Sequence, residues 1–545
     1  MDPTENTERS GRTATVARLR RRDFLRGNSA MLATIGGATL LSACGGSEDD
    51  AAGGGVDAAE DGRLSIRTVQ DLQSLDPAFM SSSVDDAIMV CVAENLVTYA
   101  ADSDEPVNEL AEEIISSDDG LMHSFTLKQG MQFHGGYGEV TAEDVKFSFE
   151  RIAGLIDPPL ESTYQGDWAT LEEVEVTGEY TGVITLSSPF APLFTTTLTG
   201  NAGLVISKAA YEELGDDFAT QPIGSGPYEF VEWSRGQHAL LRRFADWGNP
   251  SEDWAGEPQW EEIDFLPIPE DNSADIAIET GQADFGQIAY SSVERFQGDD
   301  RFTVTTQPTM DYSFIGFNTT DPQLSDVQVR RALLQALDIE SMLVAAFDGQ
   351  TTRAYALISE DMPIGYWADA PQLAPEPEAA EQALEAAGAA GLELEFGIRE
   401  EPGSADIAQI AQQNLAAIGV TANIQVYPDD QLHQQVRSLQ MFYQSFSNQA
   451  DPSWATVWFT SPQVGDWNFM SWSNEEFDQL HEQALIETDP DRRDEMYIQM
   501  QELMDEDAIA AWVMYRTNHY AHPAGLEPSL ITQRYAKYRA WAFTA

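Results

Sequence analysis

The sequence predicts an α/β fold, and two patterns predict it. From Arg63 onward, strand-like and helix-like segments alternate with no internal repeat and no second long apolar span. Hydrophobic residues make up 42% of the chain and aromatics 10%, which is ordinary for a globular body with a large core. Past the N-terminal segment, the length suits two or three domains.

Taken in order, Leu64–Val69 alternates apolar and polar residues and reads as a strand, as does Ser124–Leu127. Thr141 and Asp144 frame a capping box for a helix carrying Val145, Phe149 and Ile152 at helical spacing. Val183–Leu186, Leu392–Phe396 and Ala422–Val426 are β-rich. Between the last two, Ala405–Ile418 sets Ile407, Ile410, Ala411 and Leu415 on one helical face, with Gly419 as its cap. Ser473 with Glu476 caps a helix bearing Phe477, Leu480 and Ala484. Asp489-Pro490 opens another, whose Met496, Met500, Leu503 and Met504 form a core stripe.

The first 43 residues read as an export signal. Seven arginines from Arg9 to Arg26 precede a weakly apolar stretch, Ala30–Leu41, and small residues lead to Leu41-Ser42-Ala43-Cys44. Arg21-Arg22-Asp23-Phe24-Leu25 matches the twin-arginine pattern, with Arg20 in place of the usual Ser or Thr. A membrane-spanning helix needs about 20 apolar residues, and this stretch is shorter and broken by Gly36 and Gly37. Leu-Ser-Ala-Cys is similar to a bacterial lipobox, which makes Cys44 the lipidated N-terminus of the mature chain. Cys91 is then without an intrachain partner, so no disulfide is expected. Residues 44–62, rich in Gly, Ala, Asp and Glu, read as a flexible tether.

Asp and Glu number 91 against 29 Lys and Arg, a formal charge of −62. Nucleic acid and anionic membrane are therefore disfavoured partners. Lys128, Lys146, Lys208 and Lys537 are the only lysines, a composition suited to high external salt.

Local signatures of catalysis are missing: the sequence has no Gly-x-Ser-x-Gly, P-loop, His-Glu-x-x-His or Cys-x-x-Cys. His481-Glu482 begins a zincin pattern that fails at Leu485, which leaves His481 as an exposed helical residue. His519 and His522 are three apart but form no convincing metal cluster. No cofactor, metal or catalytic residue is assigned.

Long stretches carry a family resemblance. Leu110-Ala111-Glu112, the run Asp118-Asp119-Gly120 through Phe133-His134-Gly135-Gly136, and Thr141–Arg151 resemble the family 5 extracellular solute-binding proteins, the oligopeptide- and dipeptide-binding components of ABC importers. The likeness recurs at Leu75-Asp76-Pro77-Ala78, Gly224-Ser225-Gly226-Pro227-Tyr228, Phe317-Asn318, Asp326–Leu333 and Glu487–Arg493. Most of these residues mark the scaffold: Gly224–Tyr228 is a glycine turn into a strand, and Arg330-Arg331 the polar side of a helix whose Val329, Leu333 and Ala336 face a core.

The resemblance implies a two-lobed periplasmic-binding-protein fold, type II and cluster C, with an extra N-terminal domain in the first lobe. It places the first lobe at 63–306 with a subdomain inserted at about 86–190, the second at 307–515, and a return to the first at 516–545. Crossings are expected near Gln307–Asp311 and Met514–Asn518. In dipeptide binders of the family an Arg after a strand takes the peptide carboxylate, which here is Arg399. An Asp opening Asp-x-x-Asp-Pro takes the α-ammonium, and here Asn448 stands in that place, ahead of Asp451-Pro452. Asn brings no charge, so a free N-terminus is held less well unless Asp451 substitutes. Phe446, Trp454, Trp458, Trp467 and Trp472 supply flat surface for side-chain pockets or a stacked sugar. The implied function is a monomeric, lipid-anchored binding protein that encloses a small solute, a short peptide foremost, and delivers it to an ABC permease and its ATPase. An oligosaccharide or opine is the alternative solute, and a secreted hydrolase the alternative class.

Overall fold

A computed structural model of the chain describes residues 62–100, 105–248, 258–528, 530 and 542–543. The expected signal, Cys44 and the tether up to residue 61 lie outside them. All described residues belong to one unit, Val56–Ala545, and none of their helices is long and apolar enough to cross a membrane.

Three larger sheets organise the described residues. In the first, Arg63–Thr68 pairs parallel with Glu262–Pro267, which continues antiparallel to His238–Arg243 and Tyr228–Ser234. The preceding turn needs glycine, because a Cβ on Gly224 would meet the Val92 carbonyl oxygen at 2.2 Å and one on Gly226 that of Cys91 at 2.5 Å.

The second sheet orders Ala111–Ser116, Met122–Leu127, Thr181–Leu186 and Leu171–Gly178, all antiparallel. Helix Ala142–Ile152 covers it, packing Val145, Phe149 and Ile152 on Phe125, Leu127 and Ile184. The Asp144 carboxylate accepts from the Thr141 N–H at 3.0 Å, as the capping box requires, and from the Thr141 hydroxyl at 2.7 Å.

The third sheet has seven strands. Gly286–Gln287, Ala510–Pro523, Phe302–Phe317, Met441–Phe446, Glu393–Arg399 and Thr421–Tyr427 follow in that order, and Thr352–Arg353 pairs with Ala510–Pro523. One face carries Ile315, Phe396, Ile398, Met441 and Tyr443 against Ile407, Ala411 and Leu415 of helix Ser404–Ala417. The other buries Tyr312, Phe314 and Phe442 against Phe459, Phe469, Phe477 and Tyr497.

Its two long strands, Phe302–Phe317 and Ala510–Pro523, pair from Phe302↔Pro523 to Gly316↔Ala510, but the register breaks between Pro308↔Thr517 and Tyr312↔Tyr515. Thr309, Met310 and Asp311 thus stand against Arg516 alone. Pro308 has no N–H to give the ladder, and such a bulge re-aims the side chains it carries. The segments where crossings were expected fall on this break.

Three expectations change. Helix Glu475–Ile486 is capped by Asn474 rather than Ser473, because the Asn474 Oδ1 accepts from the N–H groups of Glu476 and Phe477. His481 on that helix is buried, not exposed; its Nδ1 lies 2.9 Å from the Thr456 hydroxyl, and burial lowers its pKa to about 4. Arg330 is buried as well and donates to the carbonyls of Leu324, Asp507 and Ala508, so it closes the end of helix Pro490–Glu506 instead of facing water.

Candidate functional site

Strand alternation divides the predicted site residues. In Met441–Phe446, Tyr443 lies on the face of the helix Ser404–Ala417 core, whereas Phe446 packs on the opposite, aromatic face. Ser445 shares the Tyr443 face. Arg399, the last residue of its strand, reaches Ser445 Oγ with Nη2 at 3.0 Å and stands 3.3 Å from the Glu401 carboxylate. Its side chain is 15% exposed, so the guanidinium is part-buried at the strand end.

Arg516 joins this face from the bulge. Its guanidinium makes no hydrogen bond or ion pair with the described residues, while Thr309 Oγ1 donates to its carbonyl at 2.9 Å. Burial works against its charge, but Asp311, Tyr290, Tyr443 and Glu401 outweigh burial and hold its pKa above the ordinary arginine value. The same burial raises the hydroxyls of Tyr443 and Tyr290, which Arg516 partly offsets. Gln287 and Asn518, bonded to each other at 3.1 Å, border the cluster.

Asn448 follows the same strand and is 4% exposed. Its N–H donates to Asp311 Oδ1 at 2.9 Å, and its own Oδ1 accepts from the Gln449 N–H at 2.9 Å. That second bond orients the amide, so Nδ2 is the atom left over, buried without a partner among the described residues.

Asp451 is 1% exposed and fully engaged. Arg493 Nη2 lies 2.9 Å from both carboxylate oxygens, the Ser453 N–H donates at 3.0 Å to cap helix Pro452–Thr456, and the Thr195 hydroxyl donates at 3.2 Å. The aromatics form a separate group. Phe446, Trp458, Trp467 and Phe469 lie within ring-contact distance, His433 touches Trp467 and Phe469, and Trp454 meets Trp458 edge-on at 5.6 Å. Trp472 is buried apart, its Nε1 donating to Asp507 at 2.8 Å and its ring edge-on to Phe477.

The structure therefore brings Arg399 together with Glu401, Ser445, Tyr443, Arg516, Asp311 and Asn448, and sets the tryptophans across the sheet. Sequence reading missed Asp311 and Arg516. The available signal was a charge inside each expected crossing, in a chain where cations are scarce. His519 and His522 have both ring nitrogens within hydrogen-bond distance of Gln350, Thr306, Thr305 and Pro523, and no group able to hold a metal occurs among the described residues.

Comparison with known proteins gives a consistent picture. The family described as "Bacterial extracellular solute-binding proteins, family 5 Middle" matches residues 105–468. The oligopeptide-binding protein AppA of Bacillus subtilis is 26% identical over 531 residues, covering 90% of this chain and 93% of AppA. The glutathione-binding protein GsiB of Salmonella typhimurium is 26% identical over 446 residues, covering 79% and 84%. The structure of HbpA2 from Haemophilus parasuis superposes with a TM-score of 0.79 at 23% identity, covering 89% of this chain and all of that one.

Proposed function

The chain belongs to the family 5 bacterial extracellular solute-binding proteins, the binding components of ABC importers, and from that premise we propose that its solute is a short peptide held by its carboxylate at Arg399. One observation carries the reading: Arg399 is a part-buried guanidinium at a strand end, held beside Ser445 and Glu401. A planar fork so positioned suits bidentate capture of a carboxylate. The names of AppA and GsiB, an oligopeptide binder and a glutathione binder, agree with this chemistry. A stacked sugar is less favoured, because the tryptophan group lies on the other face from Arg399.

The protein acts by binding, without catalysis. The lobes, 63–306 and 307–515 with the return at 516–545, close around the solute, with Asn448, Asp451 and Phe446 near the junction and Trp454, Trp467 and Trp472 behind it. Twin-arginine export and a lipid on Cys44, with residues 44–62 as tether, keep a monomeric body beside its permease and ATPase.

Thermal-shift screening of the soluble body tests the solute. A ligand at 100 times its dissociation constant stabilises by about 2.7 kcal/mol, so short peptides raise the melting temperature and oligosaccharides leave it unchanged. The reverse pattern, or turnover of peptides or glycosides, contradicts the reading.

A further inference from the structure

We propose that Asp311 is the acceptor for the solute's ammonium group and sets a preference for zwitterionic over anionic solutes; this rests on the peptide reading above. Where the family resemblance implies a carboxylate, this chain has Asn448, and the Asn448 amide is committed: Oδ1 faces the Gln449 N–H, leaving a donor that cannot receive an ammonium. Asp451 does not fill the gap, because Arg493, Ser453 and Thr195 occupy its carboxylate. A different carboxylate has arrived at the same spot from another strand. The bulge after Pro308 turns Asp311 toward Asn448, whose backbone N–H it accepts at 2.9 Å.

That bond uses one oxygen of Asp311 and is directed to a neutral donor. Arg516, the cation facing Asp311 across the bulge, forms no ion pair with it, although the two groups interact electrostatically. Among the described residues, Asp311 is thus an acidic group whose charge is not consumed by a direct internal ion pair, unlike Asp451. Among the described residues, Arg399, Arg516, Asp311 and Glu401 bring two charges of each sign to this site. A solute with an ammonium and a carboxylate leaves that balance intact. An anion adds an uncompensated charge at a part-buried site, which is costly.

Isothermal titration of the soluble body with alanine peptides of two to six residues, each free and N-acetylated, tests the assignment. Wild type binds the free peptides at least about tenfold more tightly, as loss of a charge-assisted hydrogen bond implies. Asp311→Asn keeps an acceptor for the Asn448 N–H but removes the charge, so it weakens the free peptides and narrows or reverses their advantage over acetylated ones. A variant damaged only in folding weakens both alike and leaves the ratio unchanged, and an unchanged ratio overturns the assignment. Equal binding of free and acetylated peptides by wild type overturns it as well, with the peptide reading intact. Failure of every free peptide to bind wild type brings down both.

Discussion

Asp451 and Asp311 show how position, not residue type, decides what a carboxylate does. Asp451 caps a helix and neutralises Arg493, which is 7% exposed, so its removal leaves a buried cation unpaired. Asp451→Ala should therefore lower unfolding free energy by about 3–5 kcal/mol in urea titration, whereas replacing Asp451 and Arg493 together with Met recovers most of the loss. A loss below about 1 kcal/mol for the single variant, on that same scale, would mean the pair is dispensable. Among the described residues Asp311 forms no ion pair of this kind, and its substitution is expected to act on solute preference. Asp311 lies outside the motif ahead of Pro452 and reaches Asn448 from another strand, so no contiguous pattern links the two.

Among the elements, the five predicted strands are all present, displaced by at most three residues at their ends. They were legible because alternation and β-branched content are local properties. The caps at Asp144 and Asp489 were legible for the same reason, the latter accepting from the N–H groups of Asp491 and Arg492. What was not legible depends on partners distant in sequence: Arg330 ends another helix's backbone 177 residues away, and His481 is buried by its contact with Thr456. The bulge that aims Asp311 arises from pairing between strands about 200 residues apart and has no local signature beyond Pro308. Glycine at 224 is likewise a tertiary requirement. Gly224→Ala must displace backbone of Val92 and Ala93 and should cost about 1–3 kcal/mol or more, while Gly166→Ala, with open space around its Cβ, should change stability by less than about 0.5 kcal/mol. Equal urea midpoints for the two variants would refute the close approach.

At the level of the whole molecule, fold and family were readable from long stretches of scaffold residues, which recur because they build the sheets and turns. The solute was readable only in part, because the candidate site draws on strand ends and a bulge that no contiguous motif records. Arg399 was marked as a candidate by its place after a strand; the residues that the structure gathers near it, Ser445, Tyr443, Asp311 and Arg516, required the three-dimensional pairing. Against the acidity of the chain, −62 in formal charge, two arginines gathered at one strand end and its neighbouring bulge are conspicuous. Calorimetric titration of a free short peptide into wild type and Arg399→Ala decides whether Arg399 holds the solute carboxylate. Wild type should bind saturably and one to one, and the variant at least about tenfold more weakly, as expected for losing a hydrogen-bonded charge pair; equal affinity for the two proteins, or binding of oligosaccharides in place of peptides, would overturn that role.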